Sequence, residues 1–551
     1  MQTHTDTRQE RFASGFIAGL AAGILATGVM LLLNILLNGV SLPEEVGGAI
    51  TRLMPASIFD ALHRLIGADA KRIFVAIVVA GQCAVFGLIG GLVNLATTHP
   101  VLVNEKKNGA MRLGAGIFLA LILWLASGLL LLPLVGAGIF GAQLSSGTGG
   151  TMWSLGLVGL IYGVLYVLLR NWFRIREQIE ENQPGAQERR ARAKRTRRDI
   201  LRNGGIIVGV GVMGILAWRF ISNGINGANN LAQLTKNFKR KIIPAPTPNY
   251  GTLQPAPGLS SEITSNDRFY TVSKNLVSDP TVNASSWHLE VKGEVAHPFT
   301  LTYDELLKIP TKQQYESLMC ISNEVGGPYM GNALWDGFPL SALFERAGGV
   351  KTGATKVVLR AADDYSDSIH LSKALEPTTL VAIRMNGETL PQLHGFPARL
   401  LVPGIYGMKH VKWITSIEVV NYDFRGYWQG QGWNDAAPIR MTSRIDTPRT
   451  DTSLKAGQKT YIAGVAFSGN KGISEVDVSL DNGATWQRTT LKKPITALTW
   501  VLWELPWTPK EGDYTVIARA VDLEGNVQDP NPASPAPDGS SGYHTVSITV
   551  R

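Results

Sequence analysis

The chain has 551 residues, too many for one ordinary domain. Its formal charge is +9, from 52 basic and 43 acidic residues. Much of that excess lies in one block, residues 170–202, which favours membrane topology over a nucleic-acid-binding surface. Two cysteines exclude a disulfide framework and a cysteine-rich zinc site.

Residues 14–222 are rich in Leu, Ile, Val, Ala and Gly. Four runs, 14–38, 73–97, 113–140 and 151–171, each approach the roughly 20 apolar residues that a helix needs to cross a bilayer. They define a four-helix region over 1–172. A shorter run, GGIIVGVGVMGILAWRFI, predicts a fifth span over 204–222. Between them, residues 170–202 carry eleven Lys or Arg against five acids and should face the cytoplasm. Counting back puts the N-terminus, with Arg8 and Arg11, and the Lys106–Arg112 loop on that side. Counting forward puts everything after about residue 225 outside. The loop 41–72 is then outside despite its four basic residues, and ASIFDALHRLIG within it reads as an interfacial helix. His4, His63 and His99 are the only histidines before residue 288, and none lies mid-helix, so the bundle offers no axial pair for haem. Asn34, Gln82 and Asn94 read as ties between helices, with a quinone site left open.

The segment 173–203 ends in TRRDILRNGG, which resembles a twin-arginine export signal: Arg197–Arg198, Ile200–Leu201, Arg202, then a weakly apolar Gly-rich run. The same residues also read as further cytoplasmic charge. No small-x-small cleavage site follows, so the fifth helix is expected to stay as an anchor. Residues 223–259 form a Pro-rich, semi-rigid linker.

Beyond it, 260–438 reads as an α+β domain. WHLEVKGEV alternates as a half-buried strand, Thr302 and Glu305 form a capping box, and VVLRAADDYSDSIHL reads as one strand with a polar exit. Residues 439–551 show short alternating strands at sandwich spacing, with DNGATW as a tight hairpin. This predicts an all-β immunoglobulin-like sandwich without the cysteine pair.

Cys320 lies in CISNEVGG, a polar Gly-rich setting. A free cysteine is most often a small buried hydrophobe. Downstream, LHGFPARLLVPGIYGMKHVKW gathers Arg399, Lys409, His410 and Lys412, which alone would pass for a solvated face. Together, a soft thiolate and an anion-binding loop point to a thiolate-bound metal in a phosphate-bearing cofactor.

The stretches HLEVKGEVAHPFTLTYDELLKIP, CISNEVGG, GNALWDGFPLSALFERAG, MNGETLPQLHGFPARLLVPGIYGMKHVKWITSIEVV, FRGYWQGQGW and IAGVAFSGNKGISEVDVSLDNGATW resemble the sulfite oxidase family of molybdenum enzymes, over about 265–550. The resemblance implies one molybdopterin, with Cys320 as catalytic metal ligand. His394, Arg399, His410, Val411 and Lys412 match pterin- and phosphate-contacting positions. Asp267, Tyr270 and Thr271, in NDRFYTVSKN, match a further cofactor strand. Tyr406, in GIYG, reads either as reaching the metal pocket or as core. The sandwich resembles the family's dimerisation domain and implies a homodimer. Because the family loads its cofactor in the cytoplasm, an exported member crosses folded, which favours the twin-arginine reading.

Two family features are missing. No arginine follows the cysteine, and Val272, Ser273 and Lys274 stand where the family carries another. Arg346 or Arg384 would have to build the anion pocket. No CxxCH motif or cytochrome domain occurs, so no haem is expected and electrons pass through a separate cytochrome c or quinone. The expectation is a membrane-anchored molybdopterin oxidoreductase of a prokaryotic inner membrane. It transfers oxygen atoms outside the cytoplasm, to or from a small oxyanion or oxo substrate of the sulfite, nitrate or sulfoxide type, with no nucleic-acid partner. The alternative is a cofactor-less relative acting as a membrane scaffold or partner-binding protein, which would have no reason to keep Cys320.

Overall fold

Glycine sets the geometry of the N-terminal helices. The computed structural model describes residues 8–37, 39–54, 70–97, 109–144, 146–181, 256–275, 279–450 and 452–551. The interfacial helix, the twin-arginine-like motif, the fifth span and most of the linker lie outside the described residues. The chain divides into two compact units, one helical and one sheet-rich.

The helical unit contains α1 (Arg8–Leu37), α2 (Leu42–Leu53), α3 (Ala70–Thr97), α4 (Gly109–Ala126) and α5 (Gly147–Glu181). Four stretches are long and apolar enough to cross a membrane: Arg8–Leu37, Ile73–Ala96, Gly114–Leu134 and Gly147–Phe173. The third run stops at Leu134 rather than residue 140. There the helix passes through a π turn at Ser127–Leu131, and Gly136, Gly138, Phe140 and Gly141 all take positive φ as the chain reverses. The Phe140 ring fills the space over Gly128, where a Cβ would come within 2.1 Å of it. The last helix runs on to Glu181, so the basic segment begins inside it.

On α1, Gly15, Gly19 and Gly23 let the backbone approach α3 directly. A Cβ at Gly19 would sit 2.6 Å from the Phe86 carbonyl. Such contact is the principal attraction available between helices in lipid, where water provides none. Polar ties reinforce it: Gln82 Nε2 donates to Thr27 Oγ1 (2.9 Å), the Tyr162 hydroxyl to Phe86 O (2.7 Å) and Arg170 Nε to Asn94 Oδ1 (2.8 Å). Gln82 and Asn94 thus tie helices as expected; Asn34 instead bonds Gly39 O just past its own helix.

The sheet-rich unit begins with β1 (His288–Gly293), β2 (Phe299–Thr302), β3 (Lys312–Met319), β4 (Met330–Pro339), β5 (Lys356–Ala361), β6 (Ser366–His370), β7 (Leu380–Met385), β8 (Glu388–Thr389), β9 (Arg399–Leu401) and β10 (Ile414–Val420). They form two sheets, β2-β1-β10-β5-β6 and β3-β4-β7-β8, with β9 on β7. Leu289, Val291, Phe338, Val381, Leu400 and Ile417 fill one core. A second, around Trp335, Phe269 and Leu401, includes other positions of β4, which is buried along nearly its whole length. The capping box at Thr302 and Glu305 is present. The single strand expected at VVLRAADDYSDSIHL is a hairpin, β5–β6, reversing near Asp364 (φ 61°).

Downstream lie β11 (Thr442–Thr447), β12 (Thr452–Leu454), β13 (Thr460–Phe467), β14 (Ile473–Ser479), β15 (Gln487–Arg488), β16 (Thr490–Leu491), β17 (Val501–Trp507), β18 (Gly512–Asp522) and β19 (His544–Val550). They make sheets β11-β13-β17-β16 and β12-β19-β18-β14-β15 around Ile445, Ile462, Val476, Trp503 and Val516. Asn482 and Gly483 take the positive φ expected, but β14 and β15 pair only from Val478 and Gln487. The connection is therefore a longer loop, braced by Thr485 N donating to Asp481 Oδ1 (2.8 Å). The two parts share a core of Met319, Ile321, Met330 and Tyr406 with Phe467, Trp500 and Leu502.

Replacing Gly19 with Leu should lower the melting temperature of the detergent-solubilised protein, since overpacking costs about 1–3 kcal/mol. Gly28→Leu, where nothing lies within 4 Å of a Cβ, should leave it unchanged. Equal melting curves for the two variants would refute the close-contact interface.

Candidate functional site

Cys320 follows the last residue of β3, and its loop returns to the sheet at β4. Alternation along the strand places Glu316, Leu318 and Cys320 on one face. Cys320 is 7% exposed. Its N–H donates to Tyr329 O (3.0 Å), and its sulfur lies 3.0 Å from Ser322 Oγ. Burial pushes the thiol pKa up, with the Ser322 contact acting the other way. The metal-free thiol is therefore protonated at neutral pH, and a metal would have to displace the proton.

A group of buried polar side chains accompanies it. His394 Nε2 donates to Asn266 O (2.7 Å) and His410 Nε2 to Ile405 O (3.1 Å), since a carbonyl only accepts. Burial holds both rings neutral, lowering His394 to about 4 and His410 to about 3. Arg399 Nη1 donates to His394 O (3.3 Å), and its guanidinium lies 5.4 Å from the Trp335 ring centroid. Burial lowers Arg399 to about 10. Glu316 takes Gln314 Nε2 (2.8 Å) and is raised to about 8, chiefly by burial. Its 4.0 Å approach to His410 Nδ1 is thus a contact between neutral groups at pH 7.

Among the described residues, five atoms of this set are buried with no hydrogen-bond partner: Tyr270 Oη, Glu316 Oε1, His394 Nδ1, Arg399 Nε and His410 Nδ1. Each such atom costs about 1–3 kcal/mol unless something fills the space beside it. Backbone closeness completes the cradle. A Cβ on Gly395 (φ 113°) would lie 3.0 Å from Lys412 Cβ and 3.2 Å from Arg399 Cβ, and one on Gly407 would lie 2.7 Å from Tyr270 Oη and 3.3 Å from Met319 O.

The sequence-selected residues divide by position. Tyr270, His394, Arg399 and His410 contribute those unpaired atoms. Lys412 Nζ bonds Leu393 O (3.2 Å). Val411 is buried in the core, its carbonyl accepting from Leu400 N (2.9 Å). Asp267 and Thr271 are exposed. The Tyr406 hydroxyl accepts from Arg440 N (3.1 Å), and a Cβ on Gly539 would lie 2.2 Å from it, so this oxygen serves the junction with the C-terminal strands. Arg346 stacks over Phe299 (5.1 Å) and Arg384 pairs with Asp336 (2.9 Å).

Sequence reasoning missed Glu316, Tyr365 and Asp367. The Tyr365 hydroxyl lies 2.9 Å from Asp367 Oδ2 and 2.8 Å from Met408 O, and its single proton can serve only one of them at a time. Lys409 Nζ bonds Asp367 Oδ1 (2.8 Å), Ser368 O (2.9 Å) and Asp435 Oδ1 (2.9 Å), locking the loop before β10. Burial first, then the charge of a Cys320 thiolate, raises the pKa of Tyr270 and Tyr329. Tyr365 is raised by burial, Asp367 and, to a lesser degree, Cys320, and burial raises Tyr406 to about 12, with Cys320 among the smaller causes. One signal was available for Glu316: a carboxylate two and four residues before buried positions sits on their side of a strand.

A family model described as the oxidoreductase molybdopterin binding domain matches residues 276–428, and one described as the Mo-co oxidoreductase dimerisation domain matches 436–548. Mitochondrial sulfite oxidase of Rattus norvegicus is 30% identical over 353 residues, which cover 54% of this chain and 64% of the relative. Sulfite oxidase of Arabidopsis thaliana is 30% identical over 333 residues, covering 50% of this chain and 84% of the relative. Nitrate reductase [NADH] of Solanum lycopersicum is 28% identical over 270 residues, covering 39% and 30%. The chain thus spans less than two thirds of the length of the rat relative.

Glu316 supplies a pH test. Its folded pKa of about 8 stands above the ordinary 4.5, so the stability it gains from staying protonated is complete below pH 4.5 and is lost as pH rises through 8. Glu316→Gln, neutral throughout, should match the metal-free wild type in melting temperature near pH 4.5 and exceed it increasingly up to pH 8. A gap that closes with rising pH would contradict the assignment.

Proposed function

The chain belongs to the sulfite oxidase family of molybdopterin-dependent molybdenum oxidoreductases, and on that premise we propose that it is a membrane-anchored enzyme whose Cys320 supplies the protein thiolate to the metal. Five buried polar atoms without partners among the described residues, in a group whose charges and contacts reach Cys320 and Lys412, carry the reading. Two neutral imidazoles present acceptors, Arg399 presents a donor and a full positive charge, and Tyr270 can do either, a set suited to a pterin edge and its phosphate. His394, Arg399, His410, Lys412 and Tyr270 would hold the cofactor. Val411 would contribute through its backbone, and Asp267 and Thr271 would lie at the rim.

When bound, the molybdenum supplies two-electron oxygen-atom transfer. The protein's part is to hold the cofactor, shed water and place protons. Tyr365 holds its proton against Asp367, whose carboxyl burial raises despite Lys409. The sequence left Tyr406 open between this pocket and the core. Its oxygen accepts Arg440 N and stands over Gly539, so we assign it to packing, and we give Tyr365, whose hydroxyl donates toward Asp367, the role of placing a proton.

The substrate class remains a small oxyanion or oxo compound. Arg346 and Arg384 are committed to Phe299 and Asp336, which argues against their forming an anion pocket. That commitment also favours the second reading, a cofactor-less scaffold or partner-binding relative. The buried unpaired atoms count against it, because without a cofactor they are pure cost. The four apolar helices support anchoring, and the charge pattern supports a prokaryotic inner membrane with the catalytic unit outside, exported by the twin-arginine route. The C-terminal strands would form an immunoglobulin-like domain that pairs two copies, and a separate cytochrome c or quinone would carry electrons.

Detergent-purified protein from a host that makes the cofactor should contain one molybdenum and one pterin per chain. Cys320→Ala should lose the metal or shift its absorption spectrum. Metal-free protein in both preparations would overturn the enzyme reading in favour of the scaffold.

A further inference from the structure

We propose that Arg444, on β11, is a positioning residue for the Cys320 loop, so that the C-terminal domain sets the stance of the metal-ligating sulfur. The role as stated rests on the reading of Cys320 as the metal ligand; the contacts do not.

Within itself the loop is lightly braced. Cys320 N donates to Tyr329 O (3.0 Å) across the loop's base, Asn323 N to Cys320 O (3.1 Å), Gly327 N to Glu324 O (2.8 Å), and Asn323 Oδ1 accepts Tyr329 N (2.8 Å). These bonds fix local turns and leave the loop's lean unspecified. Among the described residues, the side chains that bond the loop from outside come from beyond residue 440. Arg444 Nη1 donates to Gly327 O (3.0 Å) and Ser540 Oγ to Asn323 O (2.7 Å). The His544 ring lies against Gly326, where a Cβ would meet it at 2.3 Å. His544 is held in turn, its Nδ1 accepting from Ile445 N (2.9 Å) beside Arg444.

Arg444 uses its whole fork. Nε donates to Asp446 Oδ1 (2.6 Å), Nη2 to Ser260 Oγ (2.9 Å), and the guanidinium lies 6.0 Å from the Trp500 ring centroid. Asp446 Oδ2 also accepts Ser260 N (3.0 Å). One planar cation therefore joins β11, the chain ahead of β1 at Ser260 and the cysteine loop. A lysine has a point charge in place of the fork and cannot span all three. Two waist-high facts make the arrangement specific: Gly327 O is a loop carbonyl rather than a ladder one, and Gly326 (φ 79°) has no side chain to keep the histidine away.

The test uses the full chain in detergent with Cys83→Ser, which leaves Cys320 as the one thiol. Iodoacetamide labels Cys320 in metal-free protein when the loop opens. Arg444→Met should raise the labelling rate about tenfold, the factor that one lost charge-assisted hydrogen bond makes in an opening equilibrium. Arg444→Lys should recover little of it. Lys492→Met, which breaks a buried ion pair with Glu262 elsewhere between the two parts, should label at the wild-type rate. An unchanged rate in Arg444→Met overturns the proposal, and so does an equal rise in Lys492→Met, which would mean general loosening. If Arg444→Met fails to fold, Ser540→Ala, which removes a single bond, should raise the rate by a smaller factor; an unchanged rate there overturns it equally. In molybdenum-loaded protein, Arg444→Met should also alter the paramagnetic molybdenum resonance, and an unaltered resonance counts against the proposal. Because labelling needs no metal, a chain that never binds molybdenum defeats the enzyme reading while leaving the labelling result interpretable.

Discussion

Burying a polar atom without giving it a partner is among the most expensive things a fold can do. Among its described residues the sheet-rich unit does it with five atoms of the group around Cys320, and much of its architecture serves to make that arrangement hold. The β3–β4 pair lies between cores on both faces, so the strand carrying Glu316 and leading into Cys320 cannot shift to relieve the strain. Lys409, 1% exposed, is fixed by Asp367 and Asp435, which pins the turn that carries His410. Removing one member of such a buried pair leaves a charge stranded, commonly at about 3–5 kcal/mol. The cradle is rigid because its neighbours are costly to move.

The helical unit meets a different problem. Helices long and apolar enough to cross a bilayer would gain nothing there from hiding apolar surface from one another, and here closeness comes from the absence of side chains. Gly19 and Gly90 meet backbone to backbone, and tyrosine hydroxyls are spent on the carbonyls of the neighbouring helix. The two units use glycine for different ends: contact in the bundle, positive φ and access in the cradle.

Much of this was legible in the sequence. Span positions follow from composition, because twenty apolar residues have few other uses. The capping box at Thr302 is local chemistry and survived folding intact. His394, Arg399 and His410 were legible through their motif, which fixes residue types at fixed spacing. The failures share a cause. The hairpin at Asp364 was read as one strand because a reversal with a non-glycine residue at positive φ leaves a weak signal. Tyr406 stayed open between pocket and core, because the fate of its hydroxyl depends on Arg440 and Gly539, 34 and about 130 positions away. Glu316 and Asp367 looked like ordinary surface acids. Strand alternation hints at burial for Glu316; for Asp367 only tertiary packing shows that it lies inside.

The clasp on the cysteine loop has a consequence for synthesis. Ser540 stands 217 positions after the Asn323 carbonyl it holds, and Arg444 stands 117 after that of Gly327. At about 5–20 residues per second, translation needs roughly ten to forty seconds to travel from the loop to Ser540. During that interval the thiol exists and its clasp does not. The nascent chain therefore carries an unguarded thiol through the middle of its own production, and the finished geometry of the Cys320 loop can arise only after the C-terminal strands have folded against it.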